Sequence, residues 1–204
     1  MGASRDDRVL RQLLAALVVG LLVVVLLYWR PVGRIFYPMP YREAVERWAS
    51  EYGVDARLVA AVIRVESGFQ PTARSSKGAR GLMQIMPETG AWVAERLGLG
   101  PVKAEDLDEP ELNLRLGTWY LAYQIRAFNG DLTLALAAYN GGGANVRRWL
   151  EEERWSGSVD DLHQIPFGET RLYVRRVLAT YERYCLLYPE MGVSKDGGGW
   201  WTRG

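Results

Sequence analysis

The sequence predicts an all-α domain of about 150 residues behind one N-terminal transmembrane helix. Three observations carry this. A single uncharged apolar run, LLAALVVGLLVVVLLYW, extends from Leu13 to Trp29. After it, apolar positions recur with helical spacing between glycine and proline stops, and no period-2 alternation is sustained. The balance of 49% hydrophobic and 24% charged residues suits one folded domain with a sizeable core plus extra segments at its ends.

Residues 1–12 read as a cytoplasmic N-terminus carrying Arg5, Arg8 and Arg11, and residues 13–29 as the membrane anchor. At about 1.5 Å per residue the run reaches roughly 25 Å, the low end for a spanning helix. Tyr28 and Trp29 suit the membrane–water boundary, and Arg11 and Arg30 can snorkel at its two ends. The arginines also suit a signal peptide. No small-x-small cleavage pattern follows the run, however, so an uncleaved anchor is the reading adopted. Arg30, Arg34 and Arg42 nearly balance the N-terminal arginines, so charge does not set the orientation. Residues 30–40, with Pro31, Pro38 and Pro40, read as a short stiff linker.

The domain follows as residues 41–190. Its first helix is expected from Pro40 to Tyr52, stopped by Gly53. Asp55 caps a second, Ala56 to about Ser67. Pro87 opens a third that stops at Gly98, and Pro110 a fourth running to Phe128, before the Asn129-Gly130 turn. Asp131 caps Leu132 to Tyr139; Ala144 to about Arg154 and Thr170 to Leu187 complete the set. Gly68 to Met86 is a long irregular loop, a feature uncommon unless functional. The tail, residues 191–204, reads as disordered.

Composition removes several function classes. The net charge of +1, from 25 basic and 24 acidic side chains, gives no basic excess for nucleic acid. Cys185 is the only cysteine and His163 the only histidine, so an internal disulfide, a thiol zinc cluster or a histidine-dependent triad is very hard to build. Cys185 reads as a small buried hydrophobe. Carboxylates remain.

Glu66 stands out among them. On the second helix Leu58, Val62, Val65 and Phe69 form an apolar stripe, and Glu66 falls inside that arc, flanked by Val59 and Ile63. A carboxyl in apolar surroundings is disfavoured in its charged form, so its pKa rises, as a glycosidase general acid requires. A helix-end glutamate bending to solvent or pairing with Arg64 fits the periodicity as well.

The stretch ESGFQPTARSSKGARGLMQIMPET, Glu66 to Thr89, resembles the catalytic domain of the soluble lytic transglycosylases, a peptidoglycan-cleaving family with a goose-lysozyme-like fold. Two further blocks match in the same order: AYNGGGANV, Ala138 to Val146, and IPFGETRLYV, Ile165 to Val174. The resemblance spans roughly residues 41–188. It implies that Glu66 is the sole catalytic acid/base. Ser75, Gln84 and Met86 would line the saccharide groove beside it, with Tyr139 and Asn140 facing it across the cleft. Glu169 and Tyr173 would border the groove. Gly141 departs from the family's common alanine, which would loosen the turn after Asn140.

The residues themselves leave alternatives open. Gln84 is suited to an N-acetyl group or to bracing its own loop. Tyr139 is suited to a cleft-facing hydroxyl or to core packing, and Met83 and Met86 to core filling. Glu169 also suits the first turn of the last helix.

The resemblance implies a lytic transglycosylase acting on glycan strands, which cleaves the MurNAc–GlcNAc bond to leave 1,6-anhydroMurNAc ends and needs no cofactor or metal. A goose-type hydrolase using Glu169 as second carboxylate is the nearest rival. A non-catalytic wall-binding protein on a membrane stalk is a rival of another class.

Overall fold

Eight α-helices are formed by the residues that the computed structural model describes, 5–191, of which residues 5–8, 10, 22 and 25–27 are described by their backbone alone. Residues 1–4 and 192–204, with the expected start of the chain and most of the expected tail, lie outside the described residues.

The chain divides into two units, residues 1–38 and 39 onward. The first holds α1, Arg5–Phe36. Pro31 stands inside it without ending it. Residues 30–36, expected in the linker, therefore prolong the helix; proline removes one backbone donor, a loss the turns on either side outweigh. The apolar side chains of Leu13, Leu17, Val18 and Leu21 are exposed on α1. Among the described residues no helix is long and apolar enough to cross a membrane. The expected span Leu13–Trp29 includes side chains outside the described set.

The second unit is helical throughout, and local signals set most of its helix ends. Helix α2, Arg42–Tyr52, starts two residues later than expected because Tyr41 is left-handed, and Gly53 closes it with its N–H on Ala49 and Ser50 carbonyls. Helix α3 is Ala56–Glu66; the Asp55 carboxylate accepts the Arg57 N–H and ion-pairs with the Arg57 guanidinium at 2.6 Å. Prolines open α4, Pro87–Arg96, and α5, Pro110–Ala127. Asp131 caps α6, Leu132–Gly141, through the Leu134 N–H. Helices α7, Gly143–Glu151, and α8, Gly168–Leu187, follow. Short 3-10 turns at 105–108, 162–164 and 189–191 are too brief to leave a periodic signature. The last buries Met191, so the fold reaches one residue into the segment expected as tail.

Helix α3 lies at the centre, packed against α8 and α2, while α5 joins α2, α4 and α6, and α6 touches α7 and α8. The expected one-sided stripe on α3 is corrected by this placement. Leu58 through Ile63 are each at most 2% exposed, so the helix is buried all round. Val65 is only partly buried, and Phe69 lies beyond the helix end at φ 67°. Burying one Leu, Val or Ile side chain stabilises by about 1.5–3 kcal/mol, so α3 anchors the domain. Cys185 is partly exposed beside Tyr181 rather than fully buried.

Candidate active site

A helix buried on every side can meet solvent only at its ends, and α3 ends on Glu66. Ser67 turns the chain: its hydroxyl donates to the Ile63 and Leu82 carbonyls, at 3.2 and 2.7 Å. The loop expected to be irregular is in fact tied down. Arg80 and Ile85 exchange two backbone hydrogen bonds, and Arg74 bridges to Arg80. Gly81 adopts φ 80°, where a Cβ would overlap the Asn113 side chain and the Leu107 carbonyl. Phe69 and Gln84 hold positive φ, the kind of local strain that surrounding contacts must hold in place.

Asn113, fully buried on α5, is the staple. Its Oδ1 accepts the Met83 N–H at 2.8 Å, while its Nδ2 donates to the Arg80 and Leu107 carbonyls at 2.9 and 2.8 Å. The Arg80 guanidinium forks onto Asp108 at 3.0 and 2.6 Å. Sequence reasoning missed both. The available signal was an asparagine in the first turn of α5, past the cap position, where its side chain competes with the backbone unless it has a partner elsewhere.

The expected site residues divide into two groups. Glu66, Tyr139, Tyr173 and Glu169 come together. Burial raises the Glu66 pKa first; the Tyr173 hydroxyl opposes this and the Glu169 charge adds to it, and the carboxyl is pushed up to about 8. The rings of Tyr139 and Tyr173 stack at 6.5 Å, parallel within 4°. Tyr139 directs its buried hydroxyl to the Met83 carbonyl at 2.9 Å rather than into the cleft. Burial holds both phenols well above their usual range, and Glu66 raises them further. Tyr173 Oη is buried and completes no hydrogen bond of standard geometry among the described residues. Glu169 stands exposed in the first turn of α8, paired with Lys77 of the loop at 2.6 Å. That pair spans the loop and α8.

The others brace their surroundings. Ser75 Oγ accepts the Ala79 N–H at 2.9 Å, and Gln84 Nε2 donates to the Ala73 and Gly81 carbonyls. Met86 is the half-buried N-cap of α4. Met83 is wholly buried core. Asn140 Oδ1 accepts from Thr170 at 2.8 Å, which fixes it beside the start of α8. Gly141 does not loosen the turn: α6 continues through it, and a Cβ there would stand 3.0 Å from Thr170 Oγ1.

A central helix ending on a carboxyl that stays protonated through neutral pH is how lysozyme-like domains place a proton donor in a glycan cleft. The chain belongs to the transglycosylase SLT domain family, matched over residues 43–161. It is 36% identical to the soluble lytic murein transglycosylase of Escherichia coli K12 over 72% of this chain and 24% of that protein. To membrane-bound lytic murein transglycosylase C of Edwardsiella ictaluri it is 30% identical, covering 71% of this chain and 46% of the relative. An inactive mutant of the lytic transglycosylase Slt from Pseudomonas aeruginosa superposes with a TM-score of 0.71 at 37% identity, over 78% of this chain and 26% of that one. The 70 kDa soluble lytic transglycosylase in complex with bulgecin A superposes at 0.70, with 31% identity over 82% and 28%. The chain thus spans about a quarter of the length of these soluble relatives.

Proposed function

We propose that the chain is a membrane-anchored peptidoglycan lytic transglycosylase with Glu66 as its acid and then its base. The observation that carries this is the Glu66 carboxyl, raised to about 8 at the end of a buried helix. Neutral Glu66 gives its proton to the oxygen between N-acetylmuramic acid and N-acetylglucosamine, and the bond from muramyl C1 to that oxygen breaks. The N-acetyl oxygen of the same sugar supports the positive C1. Ionised Glu66 then takes the proton of the muramyl C6 hydroxyl, whose oxygen closes on C1. Atoms balance without water, and the nucleophile benefits from the high effective concentration of an intramolecular group.

Tyr139 and Tyr173 wall the carboxyl, and Asn140 stands beside them through Thr170. Ser75, Gln84 and Met86 shape the groove from the loop side, and Glu169 borders it. Glu169 also supplies the observation that favours hydrolysis as a second reading, since it is the carboxylate whose charge reaches Glu66. Against that reading stands its exposed pairing with Lys77, which turns it toward the loop.

The anchor is residues 13–29, with the catalytic domain on the wall-facing side. The uncharged run and the exposed apolar side chains of α1 support it, as does likeness to relatives named membrane-bound. Carbonate extraction of membranes tests it: the full chain stays in the pellet and a chain starting at residue 39 is released. For the activity, wild type solubilises isolated sacculi while Glu66→Gln binds them and loses about a thousandfold in rate. Equal lysis by both would overturn the assignment.

A further inference from the structure

Beyond the cleft lies a cavity of about 580 Å³ between α2, α4 and α5, within the size range of ligand sites. One wall is a stacked column: Arg115 lies 5.0 Å over the Trp48 ring, and Trp48 stacks on Tyr52 at 6.0 Å. Glu111 fixes the column by accepting the Trp48 indole N–H at 2.9 Å. The facing wall is Trp92, set edge-on to Trp119 at 5.4 Å, with Arg96 5.6 Å over its ring. Three guanidiniums, Arg96, Arg115 and Arg126, line this space against one carboxylate, Glu51. Arg115 Nε is buried and has no hydrogen-bond partner among the described residues.

A guanidinium placed over an indole ring still has N–H groups to offer a carboxylate, and Arg115, which also meets the Tyr52 hydroxyl, has its buried Nε to give. The site therefore favours an anionic ligand with apolar parts. Its position favours one attached to the strand being cut. The cavity shares Trp92 and Tyr123 with a second one of about 360 Å³. That second cavity reaches Tyr120, which contacts Tyr139 at 5.2 Å beside Glu66. A concave site lined by three indoles and two tyrosines also suits a peptide better than a flat lipid surface.

We propose that this cavity binds the carboxylate-bearing peptide stem of the glycan strand, an inference that rests on the function proposed above. Arg96 and Arg115 take the carboxylates; Trp48, Trp92 and Trp119 cover the aliphatic portions.

The test uses the full chain carrying Glu66→Gln, with the indole N–H resonances of Trp48, Trp92 and Trp119 as reporters. The probes are a disaccharide-tetrapeptide, the same disaccharide stripped of peptide, and the free tetrapeptide. Both peptide-bearing probes should shift the three resonances, and the stripped disaccharide should not. Arg96→Gln, at an exposed position, should weaken peptide binding at least about tenfold, and Arg96→Gln/Arg115→Gln further. Peptide binding unchanged by both variants would overturn the proposal. So would shifts produced by the stripped disaccharide alone, or only by phosphatidylglycerol vesicles. In the Glu66-containing enzyme, Arg96→Gln should raise KM for stem-bearing strands and leave stem-free strands unchanged. An equal KM on both sinks the stem site and spares the activity; peptide binding without any lysis sinks the activity and spares the site.

Discussion

Tyr173 offers Glu66 the hydroxyl that draws it toward ionisation, yet that hydroxyl is buried and completes no hydrogen bond of standard geometry among the described residues. The carboxyl is thus poised between burial, which keeps its proton, and a donor ready to accept its charge. Catalytic hydrogen bonds that are loose in the free enzyme commonly tighten with substrate in place.

Two substitutions should move the alkaline limb of the kcat/KM profile in opposite directions. In wild type, activity holds at neutral pH and falls as pH passes about 8, where Glu66 loses its proton. Tyr173→Phe removes the group that favours the carboxylate, so the limb moves to higher pH. Glu169→Gln removes a like charge, so it moves to lower pH. Shifts of the same sign would show that neither residue acts through the Glu66 proton.

Stability should carry the same signature. Folded Glu66 keeps its proton to about 8, whereas the unfolded chain releases it near 4.5, so the folded state binds more protons between these values. Wild-type stability therefore falls as pH rises through this window, with a slope approaching about 1.4 kcal/mol per pH unit for one proton. Neutral Glu66→Gln lacks this loss. Its Tm advantage over wild type should grow from pH 5 to pH 8 and vanish below 4.5; a pH-independent difference would contradict the burial of Glu66.

Asn113→Ala should cost roughly 3 kcal/mol in urea unfolding, because it strands the Met83 N–H and two carbonyls. The lytic rate should drop with Glu66 untouched, since the loop beside it loses its staple.

Gly141→Ala should change stability by less than about 1 kcal/mol. Alanine gains up to about 1 kcal/mol in helix propensity, while Thr170 must yield a few tenths of an ångström. A Tm loss of many degrees would mean that the Thr170–Asn140 bond tolerates no movement.

The helices were legible where one residue decides a boundary: Gly53, Asp55, Pro87, Pro110 and Asp131 all act within a turn of where they stand. Pro31 misled, because a proline stops a helix only when the turns around it cannot offset one lost bond. Glu66 was visible as an acid in apolar company, but its surroundings were not. Tyr139 meets Met83 across 56 positions, Lys77 meets Glu169 across 92, and Asn113 reaches 33 back to Arg80. Contacts of that separation leave no period in a sequence; they come from the packing of α5 on α6, α6 on α8 and α8 on α3. The stripe drawn on α3 was too narrow for the same reason, since period reports one packed face and α3 is enclosed on all sides.

If Glu66 acts as acid and then as base on one sugar, the released products carry the record. The most direct measurement is mass spectrometry of the muropeptides that wild-type protein releases from purified sacculi. The muramyl ends should be lighter by one water and resistant to borohydride, the 1,6-anhydro form. Reducing muramic acid ends, converted by borohydride to muramitol, would contradict it and assign the site to hydrolysis.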